Sequence, residues 1–137
     1  MNIKEILDMR IGGQWLVSPV ANENIFCRES FSQDHKDIEK MVLEFAGEKI
    51  FPNVRKIEKL DEDFSRSIME EMGKLGLIGV DAPEKYGGTE LDKITACIVT
   101  EGIGFGGSSS FGCTFGVQTG IGSLGIVFFG TPEQKRK

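Results

Sequence analysis

The sequence of 137 residues predicts an all-α domain. Three stretches, 38–46, 64–75 and 91–98, carry apolar residues at the spacing of one helix face. An apolar, glycine-rich stretch over 111–130 also fits a mostly buried helix, although periodicity alone leaves strands open there. The length corresponds to one domain, and 39% apolar residues are enough for a single core.

The first 30 residues differ from the rest of the chain because they show only weak periodicity. They contain Gly12-Gly13, a pair that interrupts regular structure. We predict an N-terminal extension over residues 1–30 that lies on the domain through Trp15 and Leu16. The domain itself is predicted over residues 31–137.

The first predicted helix starts after Phe31, where Ser32 provides a capping hydroxyl. Pro52 lacks a backbone donor and restricts the residue before it, so we predict that this helix ends or kinks near Phe51. The single histidine, His35, falls in the first turn, where we expect its side chain to be exposed. The apolar face of the helix consists of Ile38, Met41, Val42, Phe45 and Ala46.

Two further helices are separated by a loop. The second helix is predicted over 63–74, with Gly76 as its stop. Glycine at both ends of 79–88 and Pro83 between them predict a loop. The third helix is marked by Leu91, Ile94 and Ile98. The apolar stripe predicted for the second helix is Phe64, Ile68, Met72 and Leu75.

A strong helix start lies close to the last residue of the sequence. Thr131 can cap the helix, Pro132 suits its first position, and Gln134 can reach back to the cap. Seven residues give fewer than two turns, and helices that short are marginal on their own. We therefore expect this sequence to be a fragment of a longer protein.

Composition argues against several classes of protein. The net charge of −5 disfavours a nucleic-acid-binding protein, which usually carries a basic face. No uninterrupted apolar run approaches the roughly 18 residues of a membrane helix, so we expect no transmembrane segment. The N-terminus has no secretory layout, and Cys27, Cys97 and Cys113 form no C-x-x-C pair. We expect reduced thiols, no metal site and a cytoplasmic location.

Two glycine patterns, 102–107 and 120–125, match the dinucleotide-binding motif G-x-G-x-x-G. In a true fingerprint the glycines end a strand and open a helix, and an acidic residue follows about 20 residues later. The first match follows a helical pattern, and the second is embedded in apolar residues. We interpret the glycines as allowing close helix packing or making room for a ligand. Glu101 could be a buried base, but a solvent-facing position is the more common outcome.

Three segments resemble acyl-CoA dehydrogenases. Residues 75–88, LGLIGVDAPEKYGG, are similar to the LGLLG…PEEYGG segment of that family, and 128–135, FFGTPEQK, resemble its FGTEEQK. The sequence FSQD at 31–34 matches the usual opening of the first helix. His35 departs from the family, which usually has Gln or Glu there. The glycines over 116–122 resemble the very-long-chain branch, and the region of Gly12 is similar to the extension of a bacterial long-chain-like branch.

This resemblance covers 31–137 and implies the N-terminal helical domain of the acyl-CoA dehydrogenase fold, an orthogonal helix bundle truncated before the middle β domain. The family uses FAD to desaturate acyl-CoA thioesters at the α,β-carbons in fatty-acid oxidation. It also implies an electron-transfer flavoprotein as partner and a homo-oligomer. The catalytic base and the flavin lie in later domains of the family, so no catalytic residue and no tight flavin binding are implied here. One wall of the acyl pocket is implied at Phe115, Gln118, Thr119, Ile121 and Gly122.

Several alternatives stay open at this point. Within the superfamily, an acyl-CoA oxidase fits the same residues. From a different class, a stand-alone helical binding or interaction module also fits. A further expectation is that 127–129 and the short helix at 131–137 form exposed apolar surface that the rest of an enzyme would cover. For Gly122, two reasons compete: close approach of a neighbouring helix, and depth for an acyl tail.

Overall fold

The computed structural model describes residues 27–136, and every regular element in that range is helical. In a first unit, Met1–Ser32, a single 3₁₀ turn is described at Arg28–Ser30. Trp15 and Leu16, the predicted anchors of the extension, lie outside the described residues. The α-helices of the second unit are α1 (Gln33–Phe45), α2 (Val54–Glu58), α3 (Glu62–Lys74), α4 (Lys93–Phe105), α5 (Ser109–Phe129) and α6 (Pro132–Lys135). The all-α prediction is confirmed for the described part of the chain.

The path from α1 to α2 changes helix type twice. After Phe45 the chain forms a wider π-type turn, Ala46–Ile50, and then a 3₁₀ turn, Phe51–Asn53, that contains the proline. The side-chain amide of Asn53 donates to the Lys49 carbonyl at 3.0 Å, which satisfies an acceptor at this break. The predicted kink near Phe51 is confirmed, although regular α-helical geometry ends six residues earlier.

α3 lies within one residue of its predicted bounds. The Asp61 carboxylate accepts a hydrogen bond from the Phe64 backbone N–H at 3.0 Å and caps the helix. Gly76 stops it with a φ of +75°, a conformation that disfavours a side chain. Leu75 was wrongly included in the apolar stripe, because it lies past the last helical residue and is 48% exposed. The turn at Gly76 brings Leu77 into the core instead.

The loop after α3 is closed by backbone hydrogen bonds between its two ends. Thr89 N–H donates to the Gly79 carbonyl at 3.0 Å, and Leu91 N–H donates to the Val80 carbonyl at 2.9 Å. The predicted loop over 79–88 is therefore confirmed as a compact one. Leu91 was wrongly assigned to the third helix, because the next residue is the N-cap and α4 begins after it.

The core is formed by apolar side chains from α1 to α5 and from the loop after α3. α4 and its C-cap pack against α1 and the π-type turn after it so closely that only glycine fits at two positions. A Cβ atom on Gly102 would lie 2.5 Å from Val42 Cγ1, and one on Gly106 would lie 2.7 Å from Ile50 Cγ2. The close-packing interpretation of the first glycine pattern is confirmed for these two glycines. The buried apolar residues of the core cluster are Val42, Phe45, Ala46, Ile50, Ile57, Ile68, Met72, Leu77, Val80, Val99, Ile103, Phe111 and Phe115.

A polar pair links α1 to the start of α4. The expectation that His35 is exposed is wrong: only 12% of its side chain is exposed, and Nε2 lies 3.0 Å from Asp92 Oδ2. The reason is that the first turn of α1 lies beside the N-terminus of α4. The pKa of the Asp92 carboxyl is lowered, first by the Thr95 backbone N–H and then by the Thr95 hydroxyl and His35, which together outweigh burial.

This lowered pKa predicts a loss of stability in acid. Asp92 contributes stability above its unfolded-state pKa of about 4, and this contribution disappears as the pH falls through the lower folded-state pKa. Asparagine caps helices about as well but does not titrate. We therefore expect Asp92→Asn to lose less stability than the unsubstituted chain as the pH falls below about 4. Parallel urea unfolding across that window checks this, and identical pH slopes would contradict it.

α5 is a continuous helix of 21 residues with a wide turn in its middle. Regular turns over Ser109–Gly116 and Ser123–Phe129 flank a π-type segment, Val117–Gly122. The helix prediction is confirmed, but the expectation that it is mostly buried is wrong. Only Phe111 and Phe115 are buried, because the core ends there and the second half of α5 extends beyond it.

α5 is long and apolar. By length and composition alone, α5 is the one helix among residues 27–136 that could span a membrane. This is weak evidence for a span, because Phe111 and Phe115 belong to the core of the unit.

After α5, Thr131 N–H donates to Gln134 Oε1 at 2.8 Å, and Gln134 N–H donates back to Thr131 Oγ1 at 3.3 Å. The capping box predicted for this last helix is confirmed.

Candidate functional site

A groove of about 240 Å³ lies between α5, α4 and the loop after α3. The loop supplies one wall through residues 77–82 and 86–88. α5 supplies the opposite wall at intervals of four residues, which places these side chains on one helix face. The helical residues that line the groove are Ala96, Val99, Thr100, Phe115, Thr119, Gly120, Ser123, Leu124 and Val127.

Three polar side chains of this groove, Thr119, Ser123 and Asp81, are already engaged by the protein. Thr119 Oγ1 donates to the Phe115 carbonyl at 2.9 Å, and Ser123 Oγ donates to the Gln118 carbonyl at 2.6 Å. The Asp81 carboxylate is paired with Lys93 Nζ at 2.7 Å. The groove therefore suits an uncharged, mostly apolar group better than an ionic one.

The structure divides the predicted acyl-wall residues between two faces of α5. Phe115 and Thr119 line the groove. Gln118, Ile121 and Gly122 are exposed and do not line it. A single acyl wall would require Gln118, Thr119, Ile121 and Gly122 to share one helix face toward one groove, as we expected. This expectation is wrong, because the π-type turn Val117–Gly122 alters the regular helical spacing and only Thr119 of the four lines the groove. Their contact with substrate stays a prediction.

Sequence reasoning missed most of the groove. It did not identify the α4 residues, the loop wall, or Ser123, Leu124 and Val127 on α5. For α5 a signal was available: the recurrence of residues 115, 119, 123 and 127 at intervals of four, one face of a helix. For the loop no such signal exists, because its position depends on backbone hydrogen bonds rather than on periodicity.

The face of α5 opposite the groove, here called the open face, carries large apolar side chains. Ile121 is 77% exposed, Phe128 60% and Phe129 88%. The two phenylalanine rings contact each other edge to face at 6.3 Å. Exposed apolar surface was predicted over 127–129 and is confirmed for Phe128 and Phe129, whereas Val127 lines the groove. A single exposed apolar side chain is common on protein surfaces, whereas several on one helix indicate a binding surface.

The glycines of this helix are not explained by helix packing. A Cβ atom on Gly122 would lie 3.2 Å from the Val117 carbonyl of the same helix and near no other element among the described residues. A Cβ atom on Gly120 would have no neighbour within 4 Å. Of the two reasons considered for Gly122, close approach of a neighbouring helix therefore finds no support here.

The described residues do not fit the diphosphate of a flavin dinucleotide. Such a group is usually held at a helix N-terminus with free N–H groups or at a glycine turn that opens a helix. The Asp92 carboxylate occupies the N-terminus of α4, and Glu58 and Ser108 occupy that of α5. Both carboxylates would repel a phosphate. The first glycine pattern ends α4 rather than a strand and runs up to the Ser108 cap of α5, where Glu58 already lies, and the second pattern lies within α5.

Other candidate chemical groups are dispersed. Among residues 27–136, no three His, Cys, Asp or Glu side chains lie close enough together to hold a metal ion. Glu101 is exposed on α4. Cys27, Cys97 and Cys113 are exposed free thiols. The groove and the open face of α5 are therefore the surfaces on which a function can be argued.

Comparison with known proteins identifies one family. Residues 32–137 match the family model described as acyl-CoA dehydrogenase, N-terminal domain. A probable acyl-CoA dehydrogenase of Bacillus subtilis (strain 168) is 38% identical over 98% of this chain and 22% of its own length. The crystal structure of an acyl-CoA dehydrogenase complexed with FAD from Bacillus anthracis superposes with a TM-score of 0.84 and 39% identity, over 92% of this chain and 21% of that one.

A second solved structure shares the fold. It is titled as the electron transferring flavoprotein of Acidaminococcus fermentans and matches with a TM-score of 0.64 and 28% identity, over 77% of this chain and 27% of that one. The sequence of 137 residues thus spans about a fifth of the first relative and of the first solved structure.

Proposed function

This chain belongs to the acyl-CoA dehydrogenase family, and on that basis we propose that it forms the N-terminal helical part of a flavin-dependent enzyme that desaturates acyl-CoA thioesters at the α,β-carbons. The observation that carries the proposal is the second half of α5. It combines a helix face of small and apolar residues with an absence of buried positions from Val117 to Phe129. Such a helix is suited to contact an acyl chain and a further part of the protein at the same time.

The proposal gives this chain a binding role without a catalytic group. The acyl wall is formed by α5 from Phe115 onward, with Gln118, Thr119, Ile121 and Gly122 as the contact residues. We assign FAD to other parts of the enzyme, because carboxylates lie at the N-termini of α4 and α5, beside the proposed wall. The proposal also includes an electron-transfer flavoprotein as electron acceptor, a homo-oligomer, a role in fatty-acid oxidation, a cytoplasmic location and a preference for long acyl chains.

Spectroscopy of two proteins tests this proposal. The complete gene product that contains these residues should purify with a flavin absorbance spectrum, which an acyl-CoA should bleach under anaerobic conditions. The 137 residues alone should be colourless and inactive, because residues 27–136 show no fit to the flavin diphosphate. A flavin-loaded preparation of the 137 residues would contradict the assignment of FAD to other parts.

The same experiment separates the alternatives. Reoxidation of the bleached flavin by an electron-transfer flavoprotein, and not by oxygen, supports a dehydrogenase, whereas rapid reoxidation by oxygen supports an oxidase. A complete gene product that contains no flavin and does not oxidise acyl-CoA would favour a stand-alone binding module. In that case the open face of α5 should not mediate self-association at high concentration.

A further inference from the structure

Glu58 joins the end of α2 to the start of α5. Its Oε1 atom accepts hydrogen bonds from Ser108 Oγ at 2.6 Å, from Ser110 Oγ at 2.8 Å and, more weakly, from the Ser110 backbone N–H at 3.4 Å. The partners are 50 and 52 residues away in the sequence, so this is a tertiary link rather than a local turn. These hydrogen bonds connect the N-terminus of α5 to α2.

Ser108 and Glu58 form hydrogen bonds in which each group has a defined role as donor or acceptor. Ser108 is buried, donates its hydroxyl to Glu58, and accepts the Phe111 backbone N–H at 3.2 Å as the N-cap of α5. Hydrogen bonds from Ser108 and then Ser110 hold the pKa of the Glu58 carboxyl below its ordinary value, because they stabilise the charged form. The ionised carboxylate is also favoured by the partial positive charge of the helix N-terminus.

The position of the second half of α5 depends on this first half. No residue from Val117 to Phe129 is buried, so that segment has no core contact of its own to fix it. Phe111 and Phe115 hold the helix against the core, but apolar contacts are not directional. Hydrogen bonds to Glu58 require particular angles and so restrain the rotation of α5 about its axis.

We propose that Glu58 is a positioning residue that fixes the rotation of α5 and thereby determines which of its side chains form the acyl wall. The inference rests on the proposed function of α5. Glu58 does not contact substrate in this account. It acts through Ser108 and Ser110, and its loss changes the depth of the acyl pocket more than the chemistry at the thioester.

The test uses the complete gene product with Glu58→Ala and Ser110→Ala, assayed on one long and one short acyl-CoA. We expect kcat/KM for the long substrate to fall about 10-fold more than for the short one, mainly through KM, because a misplaced wall affects the acyl tail. Glu58→Gln keeps an acceptor oxygen and should therefore restore part of the long-to-short ratio, which is kcat/KM for the long acyl-CoA divided by kcat/KM for the short one. Ser110→Ala leaves the Ser108 cap intact and covers the case in which Glu58→Ala does not fold.

Ile57→Val is the matched control, because it trims a buried side chain on the same helix without touching either serine. If the long-to-short ratio is unchanged in both test variants, or if Ile57→Val changes it equally, Glu58 has only a structural role and the proposal is overturned. Absence of acyl-CoA oxidation in the unsubstituted protein would instead overturn the proposed function itself. The two failures are therefore distinguishable.

Discussion

Gly102→Ala is expected to destabilise the helical domain by about 2 kcal/mol net, because overpacking a rigid core costs up to about 3 kcal/mol and alanine returns about 1 kcal/mol. The added Cβ would lie 2.5 Å from Val42 Cγ1 and 3.2 Å from Val42 Cβ. Val42 is fully buried, and a valine in a helix has essentially one favourable χ1 rotamer, so it cannot move away cheaply. This steric cost exceeds the gain of about 1 kcal/mol that alanine brings in a helix interior.

Gly104→Ala provides the control within the same helix and the same glycine pattern. Gly104 is exposed, and a Cβ atom there would have no neighbour within 4 Å. Alanine should therefore stabilise the domain by up to about 1 kcal/mol. Provided that the two variants and the unsubstituted chain have the same m value in urea, the unfolding midpoint should fall for Gly102→Ala and rise for Gly104→Ala. Stabilisation by both substitutions would show that the α1–α4 contact is not as close as described.

Gly122→Leu is expected to reduce kcat/KM of the complete gene product for a long acyl-CoA by roughly 10-fold or more, while a short acyl-CoA is largely spared. The reason is that a side chain at this position would occupy the space proposed for the end of the acyl tail. Gly122 contacts no other element in the described part of the chain, so the substitution should affect packing only through the Val117 carbonyl. Thermal unfolding of the variant checks that the fold is kept.

Gly120→Leu distinguishes the two faces of α5 in the same assay. Gly120 lines the groove, and leucine there would fill space between α5 and the loop after α3. A selective loss on long substrates with Gly120→Leu, and not with Gly122→Leu, would move the acyl wall to the groove face. Equal loss across chain lengths in Gly122→Leu would remove Gly122 from the site.

The fold could be predicted from local signals because those signals act within one helix. Pro52, the Asp61 side chain and the glycine at position 76 determine where helices break, start and stop, and each does so through its neighbours in sequence. Leu75 and Leu91 were misplaced because a cap or a stop one residue away excluded them from the helix. Periodicity alone does not show such single-residue boundaries.

The candidate site was less predictable because it depends on tertiary contacts. His35 is paired with a residue 57 positions later, and Glu58 with two serines at least 50 positions later. Neither pairing leaves a periodic trace in the sequence. The groove face of α5 recurs at intervals of four, but a regular 3.6-residue count misplaces the residues after Gly122, because the widened turn at Val117–Gly122 leaves no signature in the sequence.

That widened turn has an evolutionary consequence. A π-type turn holds one residue more than an α-helical turn, so deleting a single residue within 117–122 would turn Ser123–Phe129 by about 100° relative to the core. Phe111 and Phe115, which anchor the helix, lie before the deletion and would keep their places. Leu124 and Val127 would then leave the groove together, and other side chains would replace them. A one-codon deletion or insertion here could therefore exchange a whole pocket wall in one genetic event, which point substitutions would achieve only one position at a time.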